Sequence, residues 1–238
     1  MSDPFLLLWL EAPLQSWGFD SKFDRRSSLN FPTRSGILGL LCCALGAGGE
    51  QKELLARFAH YQQTVVSYLP QAGSGRENKA RQEPMLMDFH MVGGGYHEED
   101  RWQNLMKLKT NLGKKPVGGG GKITFREYLQ DQAFAVVLQV PADLKAQLEE
   151  KLQYPVWDLY LGRKHCVPTD FVYRCFFQTH EQALEKAQEI AEEKSRVEAF
   201  RVLDGKADGQ GEEMTLNDVP LRFGPHKLYR DRQVTILR

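Results

Sequence analysis

The 238-residue chain is 42% apolar, which suits one large globular domain or two small ones and excludes a chain that is disordered overall. Its 31 basic residues balance its 31 acidic residues, and its longest apolar runs, 5–10 and 37–45, are too short to cross a bilayer, so we expect a neutral, cytoplasmic protein without a membrane partner. The four cysteines form neither a CxxC motif nor the Cys/His spacing of a zinc site, so we expect reduced thiols, no metal and no cofactor.

The first predicted element is a strand over residues 5–10, where a continuous apolar run is typical of a strand buried on both faces. A proline and a glycine end the strand and place Gln15, Ser16 and Trp17 just beyond it. Trp17 could stack on a nucleobase there, and Gln15 could form a hydrogen bond with one. The alternative is that Trp17 packs over the edge of the sheet.

A polar segment with three basic residues follows, Lys22, Arg25 and Arg26, and we interpret it as a mobile basic loop. The loop leads into a helix that Thr33 caps and whose apolar residues extend from position 37 to position 45.

Arg34 lies on the first turn of this helix, where the positive end of the helix dipole disfavours a cation unless an anion is present. With Ser35 beside it, the position indicates a phosphate site. The alternative is that Arg34 only extends over the surface, while Ser35 and the nearby glycines allow close helix packing.

A second helix is predicted over 51–61 and a strand over 63–69, after which the composition changes. Residues 71–122 contain glycine-rich stretches near both ends, and we interpret them as an inserted β-ribbon or arm. Methionines at 85, 87 and 91 could wedge against nucleobases or pack against the parent sheet.

Charge is distributed unevenly along the chain. The interval 101–126 has seven basic residues and no acid, including Arg101, Lys107, Lys109 and Arg126. By contrast, 181–218 has eleven acids and five bases. This separation is typical of a polyanion-binding face, although a solvated loop followed by a solvated acidic helix would give the same counts.

Two strands are predicted in ITFREYL and QAFAVVLQV, followed by a helix over 144–152. The order β, α, β, insertion, β, α is that of a ferredoxin-like domain that lacks one final strand. Either 156–161 or 171–178 could supply it. Farther on, we predict a helix over 181–196, strands over 197–203 and 228–237, and a solvated loop at ADGQGEEM; this last third is either a small second αβ subdomain or an extended edge.

Between the two candidates for the final strand, Arg163, Lys164 and His165 form a cationic cluster after the turn-forming Gly162. Three interpretations are open. The cluster could bind phosphates, with arginine offering a bidentate fork. Lys164 and His165, with Tyr160, could instead catalyse metal-free RNA cleavage through the 2′-hydroxyl. It could also be a solvated turn.

Four blocks in order, LEAPLQSWG, FPTRSGILGLLCCALG, ITFREYL and YLGRKHCVPT, make residues 5–170 resemble the Cas5 family of the RAMP superfamily, in particular the Cas5 subunits of type I-E Cascade. The resemblance implies an α+β fold: a ferredoxin-like or RRM-like (RAMP) domain with an inserted β-ribbon thumb and a small C-terminal αβ region. The domain would comprise 1–70 and 123–180, the thumb 71–122, and the C-terminal extension 181–238.

The resemblance also implies a non-catalytic subunit that binds the repeat-derived 5′ tag of CRISPR RNA, caps the filament of CasC subunits and adjoins the large subunit CasA. Its implied RNA contacts fall after the first strand, at the start of the capped helix and in the cationic turn. With the basic residues of the loop and the arm, the expected RNA-binding set is Gln15, Ser16, Trp17, Lys22, Arg25, Arg26, Arg34, Ser35, Arg101, Lys107, Lys109, Arg126, Arg163, Lys164 and His165.

Two alternatives are open. One is a metal-independent endoribonuclease that processes precursor CRISPR RNA, as catalytic Cas5 relatives of type I-C systems do. The other is a ferredoxin-like protein that only joins other proteins, because fold alone does not decide function.

Overall fold

The computed structural model describes residues 2–21, 24–72, 79–80, 82–92, 99–102, 112–114, 122–207 and 211–238. Three of the expected RNA contacts, Lys22, Lys107 and Lys109, lie outside these residues, as does much of the predicted insertion. Within the described parts the fold is mixed α/β, with mostly antiparallel sheets and few helices.

The elements are numbered in chain order. The strands are β1 (Phe5–Glu11), β2 (Leu14–Gln15), β3 (Trp17–Gly18), β4 (Arg25–Arg26), β5 (Ser28–Leu29), β6 (Gln63–Ala72), β7 (Lys79–Ala80), β8 (Leu86–Val92), β9 (Lys122–Gln130), β10 (Ala133–Gln139), β11 (Tyr173–Phe177), β12 (Arg196–Asp204), β13 (Glu212–Arg222) and β14 (Leu228–Leu237). The helices are α1 (Arg34–Leu45), α2 (Lys52–Arg57), α3 (Lys145–Gln153, after a 3-10 turn at Ala142–Leu144) and α4 (His180–Glu193).

The largest sheet has the strand order β11-β1-β10-β6-β12-β14-β13, with antiparallel neighbours throughout. Strand β1 is buried on both faces, as its apolar run predicts. Leu6 and Leu8 pack on the face that also holds Leu38 of α1, whereas Leu7 and Trp9 face the alanines of α4. Helices on both sides of the sheet therefore explain why this strand has no polar alternation.

Helix α1 begins and ends where the sequence predicts. Thr33 is the N-cap and its hydroxyl accepts a hydrogen bond from the Gly36 N–H, while Gly46 closes the helix in the left-handed conformation. The apolar residues of its buried side lie in the main core, and this packing fixes the helix against the sheet.

The final strand of the first half is β11, within the 171–178 candidate, and it pairs with β1. The other candidate, 156–161, is irregular, so that alternative was wrong. The predicted loop ADGQGEEM was too long as well, because strand β13 begins at Glu212. The exposed first residues of β13 alternate only weakly between apolar and polar side chains, so the sequence pattern does not indicate a strand there. Pairing with β14 stabilises this strand.

The last third of the chain continues the same sheet. Strand β12 pairs with β6, and Val202, Leu216 and Val234 belong to the core that contains Leu6. Among the described residues, no helix has the length and apolar character needed to span a bilayer.

Candidate nucleic-acid interface

Strand β9 is the centre of a smaller sheet that carries several cationic side chains. It pairs with β2 and β8 in antiparallel fashion and with β4 in parallel. In the parallel register Arg26 lies beside Arg126, and Arg25 lies beside Phe125. This register places two positively charged residues next to each other on the sheet.

The turn that contains Gly162 docks onto this sheet. Leu161 N–H donates to the Cys166 carbonyl at 2.8 Å, and Cys166 N–H donates to the Arg163 carbonyl at 2.8 Å. The turn is tied to the segment after β1 by a hydrogen bond of 3.2 Å from Ser16 N–H to the Leu161 carbonyl. Gly162 has φ +93°, a conformation that L side chains rarely adopt.

Docking places Arg163 and His165 against Tyr128 of β9. The Arg163 guanidinium lies 4.4 Å from the centroid of the Tyr128 ring, and its Nη2 donates to the Arg26 carbonyl at 2.9 Å. The His165 ring centroid is 5.2 Å from that of Tyr128. The strand register and the docked turn therefore bring together three predicted contacts that are far apart in sequence. We name Arg26, Arg126 and Arg163 the arginine patch; Arg25, opposite Phe125, lies on the other face of the sheet.

Two cations of the patch have no charged partner within the described residues. Arg126 and Arg163 form no ion pair there, although Asp88 of β8 lies opposite Arg126 in the register. The Nη1 atom of Arg163 is buried and has no hydrogen-bond partner. A polyanion lying over the patch would supply the missing negative charge.

The three predicted contacts after β1 are buried and have structural roles, which corrects the expectation that they are presented to bases. Gln15 Nε2 donates to the carbonyls of Leu10 and Gln132 at 3.2 and 2.7 Å. The Ser16 hydroxyl donates to the Glu127 carbonyl at 3.0 Å. Trp17 is only 1% exposed, because it fills the core beside helix α1.

Arg34 is also buried, at 3% exposure, so the position predicted to bind phosphate binds protein groups instead. Its Nη1 donates to Asp204 at 2.8 Å, and its backbone N–H donates to the Asp218 carboxylate at 2.8 Å. Arg232 pairs with both of these acids. The anion that the helix N-terminus requires is therefore Asp218, which the sequence places 184 residues away.

The other predicted contacts on described residues are a serine of α1, an arginine of the insertion and the methionines near β8. Ser35 is half-buried and its hydroxyl donates to Thr33 Oγ1 at 3.3 Å, while Arg101 is exposed. Met85, just before β8, and Met87 and Met91 on β8 are all exposed, so they do not pack against the parent sheet. The wedging alternative stays a prediction.

The proposed catalytic trio is not gathered on one surface. Lys164 lines a cavity with Tyr160, whereas His165 packs on Tyr128. Among the described residues, no group of three or more His, Cys, Asp or Glu is arranged to hold a metal ion.

The sequence analysis did not identify Tyr128, the ring on which Arg163 stacks. A signal was available, because Tyr128 lies two residues after Arg126 in a predicted strand. Side chains at positions i and i+2 of a strand share a face.

Comparisons with known proteins agree with the resemblance seen in the sequence. The model of the CRISPR-associated protein family Cas_Cas5 matches residues 5–235. The CRISPR system Cascade subunit CasD of Escherichia coli (strain K12) is 30% identical over 165 residues, which are 68% of this chain. The match spans 66% of the CasD sequence, just under two thirds of that relative's length.

Two solved structures have similar folds. A chain of a CRISPR RNA-guided surveillance complex superposes with a TM-score of 0.69 at 27% identity, covering 98% of this chain and 89% of that one. A crystal structure of a Cas protein superposes with a TM-score of 0.54 at 22% identity, covering 98% and 93%, and this second likeness concerns the fold alone.

Proposed function

The chain belongs to the Cas5 family of CRISPR-associated proteins, and we propose that it is a non-catalytic subunit of a Cascade-type complex that binds CRISPR RNA. In this proposal it holds the repeat-derived 5′ tag, caps one end of the CasC filament and adjoins CasA. Its likeness to CasD and to a chain of an RNA-guided surveillance complex supports this role.

The fold is consistent with that assignment. The order β1, α1, β6, β10, α3, β11 and the sheet order β11-β1-β10-β6 support a ferredoxin-like RAMP domain. In the proposal, residues 71–122 form the thumb, and 181–238 form an extension that lengthens the central sheet.

The arginine patch is the observation that carries the proposal. Its cations come from three chain segments that meet at one sheet, and single-stranded RNA offers a phosphate at every nucleotide for such groups to neutralise. Arg163 is already oriented by its stacking on Tyr128 and its bond to the Arg26 carbonyl, so binding costs it little side-chain entropy. These contacts position the RNA backbone and are independent of its sequence.

An endoribonuclease is the alternative function. The different surroundings of the Lys164 and His165 side chains argue against it. A general acid and a general base must both reach the scissile phosphate. Here one side chain lines a cavity with Tyr160 and the other lies over Tyr128.

The test is to incubate the purified chain, without metal, with labelled repeat RNA and with RNA that ends in the mature 5′ tag, over a series of salt concentrations. We expect the RNA to stay intact, and we expect the logarithm of the binding constant to fall linearly with the logarithm of the salt concentration. Cleavage that Lys164→Ala or His165→Ala abolishes would establish the nuclease instead. Absence of binding at low salt would contradict both RNA functions and favour a protein that only joins other proteins.

A further inference from the structure

A cavity of about 500 Å³ lies on the other side of the cationic turn from Tyr128. Its lining consists of Cys43, Val156, Trp157, Asp158, Tyr160 and Lys164. None of these residues belongs to the arginine patch, and we name the cavity the tryptophan pocket.

Apart from Cys43 of α1, the lining belongs to an irregular segment, and this segment is held in place by α1. Val156 N–H donates to the Ala44 carbonyl of α1 at 3.0 Å, and the Cys43 thiol donates to the Asp158 carbonyl at 3.3 Å. A Cβ added to Gly46 would lie 2.8 Å from Val156, so the segment packs directly on the end of α1. A long irregular segment held this firmly is more typical of a binding site than of a simple connection.

The aromatic side chains of this wall are exposed to solvent. Trp157 is 48% exposed and Tyr160 is 37% exposed, while their backbone is anchored. Large rings that do not fill the core add nothing to its packing, and a fixed exposed ring is a platform on which a flat group can stack. Asp158 and Lys164 add a hydrogen-bond acceptor and donors at the same opening.

The turn connects the pocket to the arginine patch. Arg163 and His165 contact Tyr128 on one side of the turn, whereas Lys164 lines the pocket on the other. An RNA strand whose phosphate lies on Arg163 therefore has an aromatic cavity within one residue of the protein chain. In single-stranded RNA an unstacked base can turn away from the backbone, so the backbone can stay on one side of the turn while one base turns to the other.

We infer that the tryptophan pocket receives one unpaired nucleobase of the RNA strand that lies on the arginine patch. This inference rests on the proposed function and specifies a base-binding site within it. The base stacks on Trp157 or Tyr160, and the carboxylate of Asp158 and the ammonium of Lys164 face its polar edge. A nucleobase is the favoured occupant because Lys164, which lines the pocket, directly follows Arg163 of the arginine patch in the chain.

The experiment is a double-mutant cycle in which the Trp157 ring is removed from the protein and one base is removed from the RNA. Binding of short, labelled, single-stranded RNA copied from the repeat is measured by fluorescence anisotropy, with an abasic nucleotide at each position in turn. For Trp157→Ala we expect roughly ten- to hundredfold weaker binding with an unchanged salt dependence, because the variant loses a stacking contact and no phosphate contact. Trp157→Phe should retain most of the affinity because it keeps a ring.

A matched control is Tyr154→Ala, which removes a 76% exposed aromatic side chain from the same segment outside the pocket lining. It should bind as the wild type does. One abasic position should weaken binding by the wild type but not by Trp157→Ala, since the two changes remove the same contact.

The outcomes separate the inference from the proposed function. If the wild type binds RNA in a salt-dependent way and Trp157→Ala binds equally well, the pocket assignment is overturned and the proposed function stands. If Trp157→Ala binds RNA normally but no longer co-purifies with the other subunits of the complex, the pocket holds a protein partner and the inference is wrong. If the wild type binds no RNA at low salt, both are overturned.

Discussion

At the scale of single residues, Arg163 combines a charge with a fixed orientation. Its guanidinium lies 4.4 Å from the Tyr128 ring centroid, so substitution to lysine keeps the charge but removes the planar fork and most of the stacking. Arg163→Ala should weaken RNA binding and reduce the slope of log affinity against log salt by about 0.7, one phosphate of single-stranded RNA. Arg163→Lys should restore the slope and leave affinity a few-fold below wild type.

Salt titrations of the three proteins measure this difference. Arg57→Ala is a suitable control, because Arg57 is exposed and its charge is paired with Asp143 at 2.5 Å. An unchanged slope in Arg163→Ala would show that the patch does not contact phosphate.

Arg34 provides the opposite case, a cation whose role is structural. Burial lowers the pKa of Arg34, and the nearby charge of Asp204 opposes part of this shift. The buried guanidinium therefore depends on Asp204 to offset the cost of its burial. Arg34→Ala should reduce the free energy of unfolding by about 3–5 kcal/mol, because it leaves part of the charge of Asp204 unpaired in the interior. Urea titration measures the loss.

The folded fraction of Arg34→Ala should show a wild-type salt slope for RNA binding. If Arg34→Ala instead lowered the slope of log affinity against log salt by the amount of one phosphate contact and kept its stability, Arg34 would bind a phosphate, as the sequence indicated. The sequence correctly predicted that an anion must lie at the start of α1, but it could not show that Asp218 and Asp204 fold back to supply negative charge.

At the scale of elements, the position of the cationic turn depends on Gly162. A Cβ at this residue would lie 1.7 Å from the Ser16 carbonyl oxygen, and φ is +93°. Gly162→Ala should therefore displace the turn, weaken RNA binding more than Arg163→Ala does, and lower stability by at least about 1–3 kcal/mol. Anisotropy and urea titration report the two effects.

Gly39→Ala is the matched control, because a Cβ there meets nothing within 4 Å and the residue lies inside α1. It should raise stability by about 0.5–1 kcal/mol and leave RNA binding unchanged. Wild-type RNA affinity in Gly162→Ala would contradict the docking of the turn.

The segment before β11 is tied to helix α4 by a carboxylate that responds to pH. Burial would raise the pKa of Asp170, but hydrogen bonds from Lys194, Arg174 and the Phe171 N–H outweigh it and lower the pKa to about 2. A lowered folded-state pKa contributes stability above the unfolded-state value, 3.8, and the contribution disappears as the pH falls toward 2.

Asp170→Asn should therefore cost about 2 kcal/mol near neutral pH and progressively less below about pH 4. Urea midpoints of the wild type and the variant over a pH series test this. A difference that does not shrink in acid would show that the Asp170 side chain contributes through packing and not through its charge.

The elements themselves were largely predictable from local signals. Thr33 and Gly46 mark the two ends of α1, and Thr179 caps the start of α4, where its own backbone N–H donates to the Gln182 side chain in return. Capping chemistry therefore placed these boundaries. Burial of Trp17 was not predictable in the same way, because the ring packs against Gly36 of a helix that begins later in the chain. The same limitation affected the arginine patch, whose members meet only through the parallel pairing of β4 with β9 and the docking of the turn.

At the scale of the whole molecule, the sequence left open whether the last third is a separate subdomain. The continuous sheet and the shared core favour one cooperative unit, since Leu216 of β13 packs in the same cluster as Leu6 of β1. We therefore expect urea unfolding to give one transition, with far-UV circular dichroism and tryptophan fluorescence coinciding. The fluorescence change on unfolding reports mainly on the N-terminal part, because Trp9 and Trp17 are buried there, whereas Trp102 and Trp157 are already exposed.

Leu216→Ala tests this coupling directly, because it creates a cavity in the C-terminal strand where the side chain is 0% exposed. It should destabilise the chain by about 2–5 kcal/mol and shift both probes by the same amount. Leu228→Ala, on the neighbouring strand of the same hairpin but 50% exposed, should shift them much less. If Leu216→Ala produced an early transition in circular dichroism while the tryptophan signal stayed at its wild-type midpoint, residues 181–238 would unfold as a separate unit. In that case the ion pairs that link Arg34 of α1 to Asp204 of β12, and Arg232 of β14 to Asp204 and to Asp218 of β13, would not couple the two parts of the chain. The N-terminal part would then hold the arginine patch without the C-terminal strands.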